Sequence, residues 1–149
     1  MQFLVLNRDS VKHFKTDKVH ILIQIYCSND YVEPIEFLSS RRDVLKLQFD
    51  DWNAEQKIKI ESRYENSQKM KDMIYFDNNL AKSIVEFVKK HIDDIEMIIC
   101  QCDAGISRSA AVAAALSKCI HGNDEYYFKH YLPNSLVYKT ILEEWYKND

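Results

Sequence analysis

The sequence predicts an α/β fold: a single domain over residues 1–149, with a central, mostly parallel sheet flanked by helices. Three observations carry that expectation. Residues 19–26 (Val-His-Ile-Leu-Ile-Gln-Ile-Tyr) and 97–100 (Met-Ile-Ile-Cys) are short apolar blocks with the length and composition of buried parallel strands. Residues 76–91 repeat apolar side chains at helical spacing, and residues 109–120 are rich in Ala and Leu with no Gly or Pro. The 149 residues are 46% hydrophobic with only two Gly and two Pro, which excludes a disordered or low-complexity chain and suffices for a core.

In chain order, residues 3–6 read as a first strand, and Ser10 as the cap of a short helical turn through Val11 and Phe14. The β-branched run at 19–26 follows, with His20 read as a rim or core histidine. Residues 28–40, with Ser, Asn, Asp, Glu and Pro34, form a connection. Arg41 and Arg42 then precede the alternating strand 44–49 and are open to two readings, an attractor for an acidic substrate or a solvated strand entry. Asn53 and Gln56 have capping-box spacing, which predicts a polar helix over 54–66, and the charged stretch 55–72 reads as a solvated face. Asp77 caps the helix at 76–91, whose apolar stripe runs through Leu80, Ile84, Phe87 and Val88 and whose Lys89 and Lys90 suit its C-terminus. Beyond residue 120, Gly122 stops a helix, Asp124 starts a short aromatic one, and Pro133-Asn134 breaks the chain and recaps it. Val137, Tyr138, Ile141, Leu142 and Trp145 stripe the last helix.

Between the strand at 97–100 and the helix at 109–120 lies Cys102-Asp103-Ala104-Gly105-Ile106-Ser107-Arg108-Ser109. A loop that turns into a helix leaves backbone N–H groups unpaired at the positive end of the helix dipole. Such a place holds phosphate, and the same field stabilises a thiolate. Arg108 adds a planar fork that pairs two phosphate oxygens at once, and Gly105 permits a tight bend or a close approach to a ligand. A nucleophile, Cys102, and an oxyanion clamp built from Asp103, Ala104, Gly105, Ile106, Ser107 and Arg108 therefore share one loop. The chemistry this suits is phosphoryl transfer through a phosphocysteine. Its leaving oxygen needs a proton donor from a neighbouring loop at the same sheet edge, and Asp50 and Asp51, just after the strand at 44–49, meet that requirement.

Cys-x5-Arg-Ser at 102–109 resembles the signature of the cysteine-based protein tyrosine phosphatase superfamily, with a strand before it and a helix after it. The likeness to a small dual-specificity-like member covers roughly residues 44–145. It implies hydrolysis of phosphotyrosine, or of phosphotyrosine with phosphoserine and phosphothreonine, with Cys102 as nucleophile and Ser109 hydrogen-bonded to the thiolate. Phe-Asp-Asp at 49–51 resembles the acid loop of some small members, in which the second Asp is the acid; that implies Asp51, with Asp50 as alternate. One position departs from the pattern: the residue before the nucleophile is usually His, and here it is Gln101. Two other readings compete: a non-catalytic phosphopeptide-binding module, and a thiol-based oxidoreductase using Cys100 or Cys119.

A net charge of −3 and a pI near 6.0 argue against a nucleic-acid partner held by bulk electrostatics. Cys27, Cys100, Cys102 and Cys119 read as reduced thiols, and Cys100-x-Cys102 lacks the two further ligands of a zinc site. No metal or cofactor is expected. Without an apolar stretch long enough for a signal peptide or a span, the expectation is a soluble, cytoplasmic protein that meets a phosphorylated protein substrate and no membrane.

Overall fold

Strand β2 (His20–Tyr26) is buried at every position, as an Ile-rich run with neighbours on both sides must be. In the computed structural model, which describes residues 1–53, 55, 56, 58 and 73–147, it pairs in parallel with β3 (Arg41–Gln48) and β4 (Met97–Gln101). β4 pairs in parallel with β1 (Gln2–Leu6), giving the order β1-β4-β2-β3. The fold is α/β with a four-stranded, all-parallel sheet among the described residues. Parallel strands end at one edge, so the residues that follow Leu6, Tyr26, Gln48 and Gln101 meet there.

The pleat divides the core. Ile21, Ile23, Ile25, Ile98 and Cys100 belong to one cluster, with Ile84 and Val88 of helix α2 (Asn78–His91), the alanines of α3 (Arg108–His121) and Ile141 of α5 (Ser135–Tyr146). Leu22, Met97 and Ile99 point the other way, toward Val11 of α1 (Arg8–His13). α3 is buried at every position from Arg108 to Ser117. An alanine surface lets the sheet and the neighbouring helices approach it closely, at the best intrinsic helix propensity. It ends at Gly122, whose φ of 76° carries its N–H to the Lys118 carbonyl, 2.9 Å away. α4 (Glu125–His130) then leads to Asn134, the N-cap of α5, which accepts from the Val137 N–H.

Some local expectations shift. Asn7, not Ser10, caps α1: its Oδ1 accepts from the Ser10 N–H at 2.7 Å. β3 begins at Arg41 rather than at residue 44, and Arg41 is only 9% exposed. Its Nε donates to His20 Nε2 at 3.2 Å and one terminal nitrogen donates to the Glu36 carbonyl, so it is a buried tie and not a solvated residue. His20, itself fully buried, turns its other ring nitrogen to the Lys18 carbonyl at 2.9 Å. Burial, joined by the Arg41 charge, holds the imidazole below its usual pKa, so it stays neutral and can accept. The capping box is present, with Asn53 and Gln56 exchanging backbone-to-side-chain bonds of 3.1 and 2.8 Å. The helix expected over 54–66 and most of the charged stretch 55–72 lie outside the described residues.

Two substitutions in α2 separate packing from capping. Ile84 is fully buried, so Ile84→Ala is expected to cost about 2–5 kcal/mol in urea unfolding. The Asp77 side chain accepts the Leu80 N–H at 2.9 Å, so Asp77→Ala is expected to cost about 0.5–2 kcal/mol and Asp77→Ser much less.

Candidate active site

Four chain segments converge at the C-terminal sheet edge. The β4–α3 connection supplies residues 102–107, and α3 opens with Arg108 and Ser109. Cys102 is 2% exposed, and its Sγ lies 3.0 Å from Ser109 Oγ, in the first turn of the helix. Three carbonyls of the loop are spoken for from outside: Asp103 O accepts from the Arg8 N–H (3.1 Å), Ile106 O from Leu132 (3.1 Å) and Ser107 O from Asn134 (3.1 Å). In a trans peptide the C=O and the following N–H point in opposite directions. Fixing those carbonyls therefore turns the N–H groups of Ala104, Ser107 and Arg108 the other way, and none of the three meets an acceptor among the described residues. Backbone donors at a helix N-terminus, oriented and unpaired, form an anion cradle.

Gly105 makes this geometry possible for a reason other than ligand access. Its φ is +67°, and a Cβ there would stand 2.8 Å from the Leu6 carbonyl carbon and from the Asn7 nitrogen. The loop thus bends in the left-handed region while pressed against the end of β1, and both demands exclude a side chain.

Arg108 is 5% exposed. One terminal nitrogen donates to the Phe49 carbonyl at 2.8 Å and approaches Cys27 Sγ at 3.6 Å; the other reaches Asp103 Oδ2 at 3.4 Å. Its Nε is buried with no partner among the described residues. An unpaired buried donor on a guanidinium costs stability unless an acceptor meets it, so the edge formed by Nε and the Asp103-facing nitrogen is poised for a bidentate anion. Burial disfavours the guanidinium charge, but the Cys27 and Cys102 sulfurs and the Asp51 carboxylate outweigh it and move its pKa up.

The two aspartates expected near the loop differ in placement. Asp50 is committed to the backbone: Oδ1 accepts from the Ser28 N–H, and Oδ2 from Ser28 Oγ and the Ile74 N–H, at 2.8–3.1 Å. Burial pushes its carboxyl up, but those bonds prevail and hold it below the usual range. Asp51, exposed at the rim, places Oδ1 2.8 Å from Ser107 Oγ and 2.8 Å from Asn134 Nδ2. The chain therefore brings Asp51, not Asp50, onto the loop that holds Cys102.

Residue patterns had not singled out Cys27, which donates to Asp103 Oδ2 at 3.4 Å, or Asn134 as more than a cap. A Cys one residue beyond a buried parallel strand was the available signal for the first. Burial, more than offsetting Arg108, raises the Cys27 pKa and keeps it a neutral donor. Cys27, Asp30 and Asp103 have ligand atoms within 4.8 Å of one another, but the Arg8 guanidinium lies 3.2 Å from Asp30 and 3.6 Å from Asp103 and supplies the positive charge itself. Burial raises the Cys100 pKa strongly, as fits a core thiol, and the four cysteines form no disulfide. Gln101, fully buried, accepts from Gln24 Nε2 at 2.9 Å across the β2–β4 register. The pair fills the place next to Cys102 with neutral amides.

Beside Ser107 and Asp51 opens a cavity of about 510 Å³ bounded by Phe128, Tyr131, Leu132 and Pro133. The fold has counterparts among solved structures. Human tyrosine phosphatase-like serine/threonine/tyrosine-interacting protein matches with a TM-score of 0.52 at 18% identity, over 85% of this chain and 76% of that one. Tk-PTP in its active form matches with a TM-score of 0.51 at 14% identity, over 99% and 91%. The fold is phosphatase-like. No family model and no curated protein matches the sequence. Among the described residues, no helix of this phosphatase-like chain is long and apolar enough to cross a membrane.

The two glycines give a direct check on the loop. Both have positive φ, but a Cβ at Gly122 meets nothing within 4 Å. Gly122→Ala is expected to cost about 1–2 kcal/mol for backbone strain alone. Gly105→Ala carries a further clash with backbone of about 1–3 kcal/mol and is expected to lower Tm more in thermal unfolding.

Proposed function

We propose that the protein is a cysteine-dependent phosphatase acting on phosphorylated protein, with phosphotyrosine as the leading substrate and phosphoserine or phosphothreonine as further ones. The observation that carries this reading is the Cys102 thiol, 3.0 Å from Ser109 Oγ, in a loop whose outward-bonded carbonyls leave its N–H groups free for an oxyanion. Cys102 Sγ attacks phosphorus as the ester P–O bond breaks, and the proton on Asp51 passes to the leaving oxygen. The loop N–H groups and the free edge of Arg108 hold the equatorial oxygens. In the second step the Asp51 carboxylate takes a proton from water as that water attacks the phosphocysteine. Ser109 donates to the departing sulfur, and inorganic phosphate is released. Positive charge comes from Arg108 and the loop, so no step calls for a metal. Asp103, Ala104, Ile106 and Ser107 add no Lys to the loop, which favours singly phosphorylated side chains over multiply charged ligands. The cavity walled by Phe128, Tyr131, Leu132 and Pro133 adjoins the loop and is large enough for apolar parts of such a substrate.

The test is turnover of aryl phosphates with chelator present. Wild type is expected to be active and Cys102→Ser inactive. Asp51→Asn is expected to lose about 10²–10⁴-fold with phenyl phosphate and less with p-nitrophenyl phosphate, whose leaving group needs less protonation. Activity that survives Cys102→Ser sinks the mechanism. Tungstate binding without turnover would instead make the chain a phosphopeptide-binding module.

A further inference from the structure

Asp103 puts a carboxylate beside the anion cradle. Its Oδ2 lies 3.4 Å from Arg108 Nη2 and accepts from the Cys27 thiol at 3.4 Å. Its Oδ1 is buried without a hydrogen-bond partner among the described residues, and Arg8 Nη1 is 3.6 Å away. Arg8 neutralises the carboxylate only in part. That guanidinium bonds Asp30 at 3.2 Å, the Tyr31 carbonyl at 3.1 Å and Glu33 at 3.4 Å, all closer than Asp103. The Arg8 N–H also holds the Asp103 carbonyl at 3.1 Å, which fixes the main chain from which the carboxylate projects.

Arg108 offers an oxyanion two nitrogens, the unpartnered Nε and the Nη2 that Asp103 already faces. We propose that the Asp103 side chain sets the charge selectivity of the cradle, an inference that rests on the phosphatase reading above. The loop holds the oxyanion through main-chain N–H groups and Arg108, whereas the Asp103 carboxylate opposes them at the shared nitrogen. Two negative groups on one guanidinium repel each other, and the repulsion grows with the charge of the ligand. The preferred substrate is therefore a phosphomonoester with no second anionic group beside the phosphate, and a bisphosphate is disfavoured. Dianionic product leaves more readily for the same reason. The Asp103 side chain is 38% exposed, so salt screens part of the repulsion.

The test reads occupancy of the cradle without turnover, as protection of Cys102 from iodoacetamide, an uncharged reagent, followed by mass spectrometry. Sulfate and perchlorate are the probes, because both are tetrahedral and they differ by one charge. Asp103→Asn removes the charge at nearly the same shape, Asp103→Ser removes it with a smaller group, and Asp103→Glu keeps it. In both neutral variants the half-protecting sulfate concentration is expected to fall about 10-fold and that of perchlorate roughly 3-fold, as half the ligand charge implies. Asp103→Glu stays close to wild type, and the gain for sulfate shrinks as ionic strength rises. Unchanged sulfate protection in the neutral variants overturns the proposal. So does an equal gain for the two anions, which marks a change of shape rather than of charge, or a gain in Asp103→Glu as large as in Asp103→Asn. Each of these results leaves the phosphatase reading standing, since wild-type Cys102 is still protected. A wild type whose Cys102 no oxyanion protects removes that reading, and the charge selectivity with it.

Discussion

The site depends on the orientation of three peptide groups. The carbonyls of Asp103, Ile106 and Ser107 are bonded outward, to Arg8, Leu132 and Asn134, and so the intervening N–H groups are left to face a ligand. Each of those three partners lies in a different part of the chain from the loop itself, one at the start of α1 and two between α4 and α5. The loop cannot hold this shape alone, because unpaired N–H groups repel one another and are better solvated in an open chain. It is held by what surrounds it, and Gly105 is the point at which the surroundings come too close for any side chain.

The arrangement of charge follows. Arg108, buried against the Phe49 carbonyl, is fixed in place by β3, and Asp103 with Cys27 occupies part of its donor surface. The contact to Asp103 is long, at 3.4 Å, whereas the short bond to Phe49 keeps the fork aimed. Asp103 in turn faces Arg8, which is spread over Asp30, Glu33 and the Tyr26 ring. Asp103 is thus the link between the 102–107 loop and the 28–33 connection. Gln101 and Gln24 add hydrogen bonding without charge next to Cys102.

Asp50 and Asp51 both follow the end of β3, yet their environments differ. Three donors surround the Asp50 carboxylate and tie the loop to Ser28 and Ile74, so it is structural. Asp51, one residue on, points to Ser107 and Asn134. The Trp52 N–H donates to the Asp50 carbonyl at 3.0 Å, so the chain turns tightly at Asp51, which is why one anchors and the other reaches.

Much of this was legible in the residues: the apolar blocks of β2 and β4, the alanine helix, the cap at Asp77, the stop at Gly122, and a thiol and an arginine six positions apart on one strand–helix turn. Those features are local, since periodicity, propensity and capping act over a few residues, and the apolar blocks with the helical periodicity were enough to read an α/β chain with a parallel sheet. What residues separated by 21 to 83 positions do together was decided only by the tertiary structure. Cys27 meeting Asp103, Arg41 burying itself on His20, Phe49 receiving Arg108, and Asn134 choosing Asp51 over Asp50 all depend on strand order and on where four strand ends meet. Hydrogen bonds are short-ranged and directional, so no pattern along the chain can announce a partner that only the packed sheet brings within 3 Å.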